Sequence, residues 1–179
     1  MSTSLQQAPS TTRTRDLGSH IKLPSEPVVF TSQQEMREQL LNLTRSAEKH
    51  LAIWSADLDR GLFESTALLD AIKRFVLARR HARVRLLTPQ LPTSINTKHA
   101  LLDMAECLPA SFEVRTILDA PLDAGELLLS DDRGVLYRIH VDRWDGMSNQ
   151  NDHLVTRFYM TQFDASWRIA TPVERITTV

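Results

Sequence analysis

A hairpin pattern lies in the stretch Glu126-Leu-Leu-Leu-Ser-Asp-Asp-Arg-Gly-Val-Leu-Tyr-Arg138. The apolar run Leu127–Leu129 meets a cluster of turn residues at 130–134, and a second strand-like run continues through Val141. Apolar runs of this length, separated by Ser, Asp and Gly, are typical of two antiparallel strands joined by a tight turn. We therefore predict a β-hairpin in the middle of a sheet.

Helical and strand-like segments alternate before this hairpin. Apolar residues recur at helical spacing in three segments, which begin at Met36, Leu68 and Leu101. Short apolar runs between these segments predict buried strands at Leu51–Ser55, Val84–Thr88 and Phe112–Ile117. After the hairpin, a polar loop at 145–152 leads to a last helix. This order predicts an α/β fold, with a mixed, mostly parallel sheet flanked by helices.

The composition is that of a globular protein with one domain. The chain has 179 residues and a net charge of −1, and no apolar run approaches the length of about 18 residues that a membrane span needs. Residues 1–26 are rich in Ser, Thr, Gln and Pro and predict a disordered leader, so that 27–179 form the domain. We expect a cytoplasmic protein that binds no membrane and is unlikely to bind nucleic acid, since it lacks a strong positive field.

The single cysteine excludes an internal disulfide and a cysteine-based zinc site. Cys107 lies on the apolar face of a predicted helix, and we therefore predict a thiol in the core. The six histidines show no spacing typical of metal ligands. We accordingly expect no cofactor.

One constellation of acids resembles the site of haloacid-dehalogenase-type phosphatases. Asp57-Leu-Asp59 follows a predicted strand, Thr88 ends the next strand, and an acidic pair follows in the hairpin turn. The resemblance implies a Mg²⁺-dependent phosphomonoesterase, an alternative to the function that we favour below. Its implied residues are the nucleophile Asp57, the acid/base Asp59, the phosphate contacts Thr88 and Lys98, and the metal ligands Asp131 and Asp132. Loop and turn geometry is the competing explanation for the same acids.

A second resemblance extends from about Val28 to Ala170, and it is to one half of a phospholipase D-like domain. The matching segments are Ala47–Leu58, Val84–Thr88, Phe112–Arg115, Leu127–Asp132 and Gln162–Trp167. The signature of that family is His-x-Lys, four residues and then Asp. Alignment of the family's Asp with Asp131 places Ala124 at the histidine and Glu126 at the lysine. The resemblance therefore implies a half-site without its nucleophile and without its phosphate-binding ammonium.

A degenerate site of this kind can still bind a ligand. Arg138 and His140 alternate with apolar residues and are expected to share a face of the sheet, and Trp144 and Asn149 lie in the loop that follows. We predict that these four side chains line a cleft for an anionic or polar ligand. The alternative is that Arg138 pairs with a nearby carboxylate while Trp144 shields an edge.

The predicted function is a non-catalytic binding or regulatory module. Enzymes of this family build one site from two such halves, so the resemblance implies a homodimer or a protein partner. A weaker alternative is a nucleic-acid accessory protein that uses the basic helix end from Lys73 to Arg80.

Overall fold

The structure, a computed structural model, describes residues 25–89, 91, 99–119 and 125–173. All but the last two residues of the predicted leader lie outside the described residues. The strands are β1 (Val28–Phe30), β2 (His50–Ser55), β3 (Arg83–Thr88), β4 (Phe112–Thr116), β5 (Glu126–Ser130), β6 (Gly134–Arg138), β7 (Gly146–Asn149) and β8 (Thr171–Pro172). The helices are α1 (Gln33–Ser46), α2 (Arg60–Phe63), α3 (Thr66–Ala78), α4 (Ala100–Cys107) and α5 (His153–Ile169). None of the described helices is long and apolar enough to cross a membrane.

The described strands form one sheet in the order β1-β7-β6-β5-β2-β3-β4-β8. β2, β3 and β4 are parallel, and the other neighbouring pairs are antiparallel. The α/β class, with a mixed sheet flanked by helices, is confirmed, as is the hairpin β5–β6. The antiparallel share is larger than predicted because the polar segment at 145–152 contains β7, which pairs with β6 and provides an edge for β1.

The sheet separates two hydrophobic cores. Helices α1 to α4 contribute to the larger core, in which Phe30, Met36 and Phe63 are almost completely buried. Helix α5 packs on the other face, where its Phe163 stacks on Trp167 with ring centroids 5.7 Å apart. Burial of both faces accounts for the nearly continuous apolar sequence of the central strands.

The predicted core position of Cys107 is wrong, because this residue is exposed at the end of α4. The buried positions of α4 are Leu101, Leu102 and Ala105. Continuing this face at helical spacing leads to positions 108 and 109, so position 107 falls beside it.

Asp131 joins the hairpin turn to the start of β2. Its carboxylate accepts hydrogen bonds from the backbone N–H groups of Glu48, Lys49 and His50, at 2.8, 2.7 and 2.9 Å. Asp131 also has a φ of 55°, in the left-handed region that Asp adopts more readily than most residues. The loop and turn explanation therefore describes this residue well.

Replacement of Asp131 by Ala is expected to lower the free energy of unfolding by about 2 kcal/mol, because three backbone donors lose a charged acceptor and alanine is less stable at positive φ. Urea denaturation measures this change. Asp132→Ala is the matched control, since its side chain is 85% exposed and the expected loss is about 0.5 kcal/mol or less. Equal losses for the two variants would show that the carboxylate of Asp131 has no special role.

Candidate functional site

Strand register brings three polar side chains together at one end of the sheet. Ser55 of β2 lies opposite Glu126 of β5, and Glu126 lies opposite Arg138 of β6. Side chains that are directly opposite in an antiparallel sheet point to the same face. This polar row therefore lies at the carboxyl end of β2, on the face that carries the larger core.

The three side chains form a buried network. The Ser55 hydroxyl donates to Glu126 Oε1 at 2.9 Å, and Arg138 Nη2 donates to the same oxygen at 3.4 Å. The side chains of Arg138 and Glu126 are only 1% and 2% exposed. The Ser55 hydroxyl also accepts a hydrogen bond from the backbone N–H of Leu58, which ties the loop after β2 to this network.

Arg138 has further partners in the segment that follows β6. Its Nη1 donates to the carbonyl oxygens of Val141 and Arg143, at 2.9 and 3.3 Å. The guanidinium lies over the ring of Trp144, 4.5 Å from the centroid, in a favourable cation–π contact. The guanidinium is thus held by protein groups on several sides, and Trp144 shields it.

Burial raises the pKa of Glu126 well above its ordinary value, because a charged carboxylate loses its hydration in the interior. The hydrogen bond from Ser55 opposes this rise, and so does the positive charge of Arg138, whereas the nearby Asp57 carboxylate adds to it. Among the described residues, Glu126 Oε2 and Arg138 Nε have no hydrogen-bond partner. The network therefore holds an acid whose charged form is disfavoured by burial beside a guanidinium that already has several partners.

The two described positions of the signature that the phospholipase D resemblance implies, Glu126 and Asp131, lie at opposite ends of β5. Ala124 lies outside the described residues. Glu126 begins the strand and Asp131 follows its end, about 17 Å away at roughly 3.4 Å per residue. Asp131 contacts the start of β2 and not the network around Glu126.

The four predicted ligand contacts are only partly brought together. Arg138 and Trp144 are in contact, but His140 is exposed in the turn beyond β6. Asn149 lies at the other end of β7, where its Nδ2 donates to the Ser25 carbonyl and its Oδ1 accepts from the Asn151 backbone. The arrangement around Arg138 matches the alternative in which this residue pairs with a carboxylate while Trp144 shields an edge.

The phosphatase arrangement is not assembled. Asp57 and Thr88 follow or end neighbouring strands at one end of the sheet, whereas Asp131 and Asp132 lie at the opposite end. Lys98 lies outside the described residues. The described residues contain no group of three or more His, Cys, Asp or Glu side chains that could hold a metal ion. The strand directions explain this result, because the hairpin turn meets the amino end of β2.

Asp59 has a structural role at the start of α2. Its carboxylate accepts from the backbone N–H of Leu62 at 2.9 Å and from Gln33 Nε2 at 3.1 Å. An N-cap of this kind satisfies a free amide at the helix start.

A carboxylate partner for Arg138 was an alternative in the interpretation of the sequence, but Glu126 was not identified as that partner. The sequence contained a signal for this pair. In a hairpin whose turn is centred on residue 132, positions equally far before and after the turn are opposite each other, and Glu126 and Arg138 are each six residues from it. Arg138 was predicted as a ligand contact, with the carboxylate pairing as the alternative, because the hairpin register was not used to choose between them.

The fold is similar to solved structures of low sequence identity. Nuc from Salmonella typhimurium, a phospholipase D family member, has 13% identity and a TM-score of 0.55, with 84% of this chain and 100% of that chain covered. NucT from Helicobacter pylori has 13% identity and a TM-score of 0.58, with 83% and 99% covered. TrmBL2, an archaeal chromatin protein whose structure shows a novel mode of DNA binding, has 18% identity and a TM-score of 0.62. That alignment covers 83% of this chain but only 54% of TrmBL2, so the chain spans about half of its length.

Glu126→Gln is expected to flatten the pH dependence of stability. Because its pKa is raised, the folded state retains a proton that the unfolded chain releases above the ordinary value of 4.5. The free energy of unfolding therefore falls as pH rises from that value towards the raised pKa, by at most about 1.4 kcal/mol per pH unit. Glutamine removes this contribution. Urea denaturation between about pH 5 and about pH 8 measures the slope.

The control for this experiment is Glu106→Gln, which removes a carboxylate from the exposed side of α4. It is expected to leave the slope unchanged. A Glu126→Gln slope equal to that of the unmodified protein would contradict the raised pKa.

The similar solved structures define the fold but do not assign an activity to this chain. No curated protein matches the sequence. A family model described as a domain of unknown function, DUF7931, matches residues 32–178, which include the helices and all but the first strand of the described sheet. The chain belongs to this family.

Proposed function

We propose that this protein is a non-catalytic module with the phospholipase D fold, which acts by binding and not by hydrolysis. The observation that carries the proposal is the buried ion pair of Glu126 with Arg138, 3.4 Å apart. On the resemblance described above, Glu126 takes the place of the phosphate-binding lysine.

The residues at these positions lack the groups that phosphodiester cleavage needs. Glu126 supplies no positive charge to bind a phosphodiester, and the methyl group of Ala124, at the place of the family's histidine, cannot act as a nucleophile. Arg138 cannot readily substitute for the lysine, because its guanidinium is buried and already engaged by Glu126 and two carbonyl oxygens. The proposal needs no metal or cofactor.

A second copy of the chain is the proposed partner. Exposed apolar side chains lie beyond the ends of two strands, β6 and β4, on the side of the Glu126–Arg138 pair. Ile139 and Val141, which follow β6, are 49% and 44% exposed, and Leu118, which follows β4, is 84% exposed. Ile139 and Val141, which are close in the chain, would form the apolar centre of a contact with another protein. A two-fold axis would bring this edge of each subunit together, as in enzymes that build one site from two halves.

The fold of this chain occurs in solved proteins of different length. The chain matches nearly all of Nuc and NucT but about half of TrmBL2. The unit therefore occurs both alone and within a longer chain. We do not extend the DNA binding of TrmBL2 to this protein, because the net charge of −1 gives no general attraction for nucleic acid.

Purified protein is expected to hydrolyse neither bis(4-nitrophenyl) phosphate nor 4-nitrophenyl phosphate, whether Mg²⁺ or a chelator is present. Release of 4-nitrophenol measures both reactions. Turnover of the diester would overturn the non-catalytic assignment. Mg²⁺-dependent turnover of the monoester that is lost in Asp57→Asn would instead assign a phosphatase.

Light scattering is expected to show a dimer at micromolar concentration, and Val141→Asp is expected to shift the protein towards the monomer because it places a charge in the apolar contact. Leu77→Asp is the matched control, since Leu77 is 63% exposed near the end of α3. A strict monomer, or equal effects of the two substitutions, would exclude dimerisation through this edge.

A further inference from the structure

A cleft of about 800 Å³ lies at the end of the sheet opposite to the Glu126–Arg138 pair. It is bounded by the first residues of β2 and β3, the turn between β5 and β6, and one side of α5. Its volume is in the usual range for small-molecule sites, about 300–1,000 Å³.

Strand register brings basic side chains to this cleft. His50 and Arg83 are paired in the parallel strands β2 and β3. Their side chains point to the face covered by α5, since Ala52 and Leu87, further along the same strands with the same alternation, belong to the core beneath that helix. Lys49 and, from α5, Arg157 complete the basic lining.

The acidic groups of the cleft have partners of their own. Asp164 pairs with Arg85 at 2.7 Å, and Glu48 pairs with Arg133 at 2.9 Å. Asp131 is engaged by three backbone N–H groups, as described above. Asp132 is 85% exposed and lies 3.6 Å from His153, which also faces solvent. Two of the four acidic side chains are therefore paired with arginines, and the carboxylate of Asp131 is occupied by backbone donors.

The remaining basic side chains of the cleft have no acidic partner of this kind among the described residues. In the part of the chain that the structure describes, the side chains of Lys49, His50 and Arg157 have no hydrogen bond or ion pair. The guanidinium of Arg83 donates one hydrogen bond, to the Ala82 carbonyl at 2.8 Å, and retains its other donors. The cleft thus carries several cations without an anionic partner.

A buried hydroxyl at the cleft also lacks a partner. Thr156 lines the cleft and is completely buried, and its Oγ1 has no hydrogen bond within the described residues. An unpaired buried hydroxyl costs free energy. Threonine in a helix has two accessible χ1 rotamers, so a ligand in the cleft can recruit this hydroxyl by rotation of the side chain.

We propose that this cleft binds the phosphate group of a small organic phosphate. Lys49, Arg83 and Arg157 would provide the charge-assisted hydrogen bonds, and Thr156 a neutral one. The limited volume favours a small ligand, since an extended nucleic-acid backbone needs a long basic track. This inference goes beyond the proposed function and depends neither on dimerisation nor on the absence of hydrolysis.

Calorimetric titration of the purified protein with pyrophosphate tests the site. The double substitution Lys49→Ala with Arg157→Ala is expected to weaken binding by roughly tenfold or more, because two charged donors are lost. The control is Lys73→Ala with Arg74→Ala on α3, which removes the same charge from a helix of the opposite face and is expected to leave binding unchanged.

Thr156→Val separates binding from folding. The substitution is expected to weaken pyrophosphate binding by about two- to tenfold, the value of one hydrogen bond. The melting temperature is expected to stay equal or rise, because the hydroxyl that is removed has no partner in the free protein.

The result that would overturn the proposal is no binding of pyrophosphate, or binding that both double substitutions weaken equally. Binding of a DNA duplex that is lost in the Lys49 and Arg157 variant, without binding of pyrophosphate, would overturn the assignment to a small ligand.

Discussion

The antiparallel pairing of β2 with β5 is the constraint on which both ends of the molecule depend. This pairing joins the parallel strands β2 to β4 to the antiparallel hairpin, and its register places Ser55 beside Glu126 at one end. At the other end it places Asp131 against the backbone that leads into β2. A shift of one residue would turn every side chain of β5 to the opposite face and would break both arrangements.

The buried ion pair at one end of this register is held for geometry more than for stability. Removal of two charges from water costs several kcal/mol per ion, and a 3.4 Å contact returns only part of that. The raised pKa of Glu126 has the same origin, since burial outweighs the attraction of Arg138. Two carbonyl oxygens and the ring of Trp144 supply further compensation. Each of these partners restricts where the segment after β6 can lie.

Sequence reasoning was most successful where a local pattern carries the information. The hairpin, the parallel strands and the helical faces follow from apolar periodicity, and the turn role of Asp131 follows from its residue type. β7 was missed because Gly146–Asn149 has few apolar residues, and its strand conformation depends on pairing with β6. The Glu126–Arg138 contact depends likewise on register, and the cleft depends on how α5 packs across the sheet. β7 and the cleft depend on contacts between distant parts of the chain, whereas the Glu126–Arg138 contact is local to one hairpin and needed only its register.

The two ends of the sheet satisfy their charges in different ways, and this difference bears on where a ligand can bind. The guanidinium of Arg138 is enclosed by protein acceptors, so a phosphate at that end would have to break existing hydrogen bonds in a buried environment. Lys49 and Arg157 at the cleft are exposed, and a phosphate there displaces only water. The free-energy cost of binding is therefore lower at the cleft. On the two proposals made above, opposite ends of the same strands would form a closed polar network around Arg138 and an open anion-binding cleft around Lys49 and Arg157.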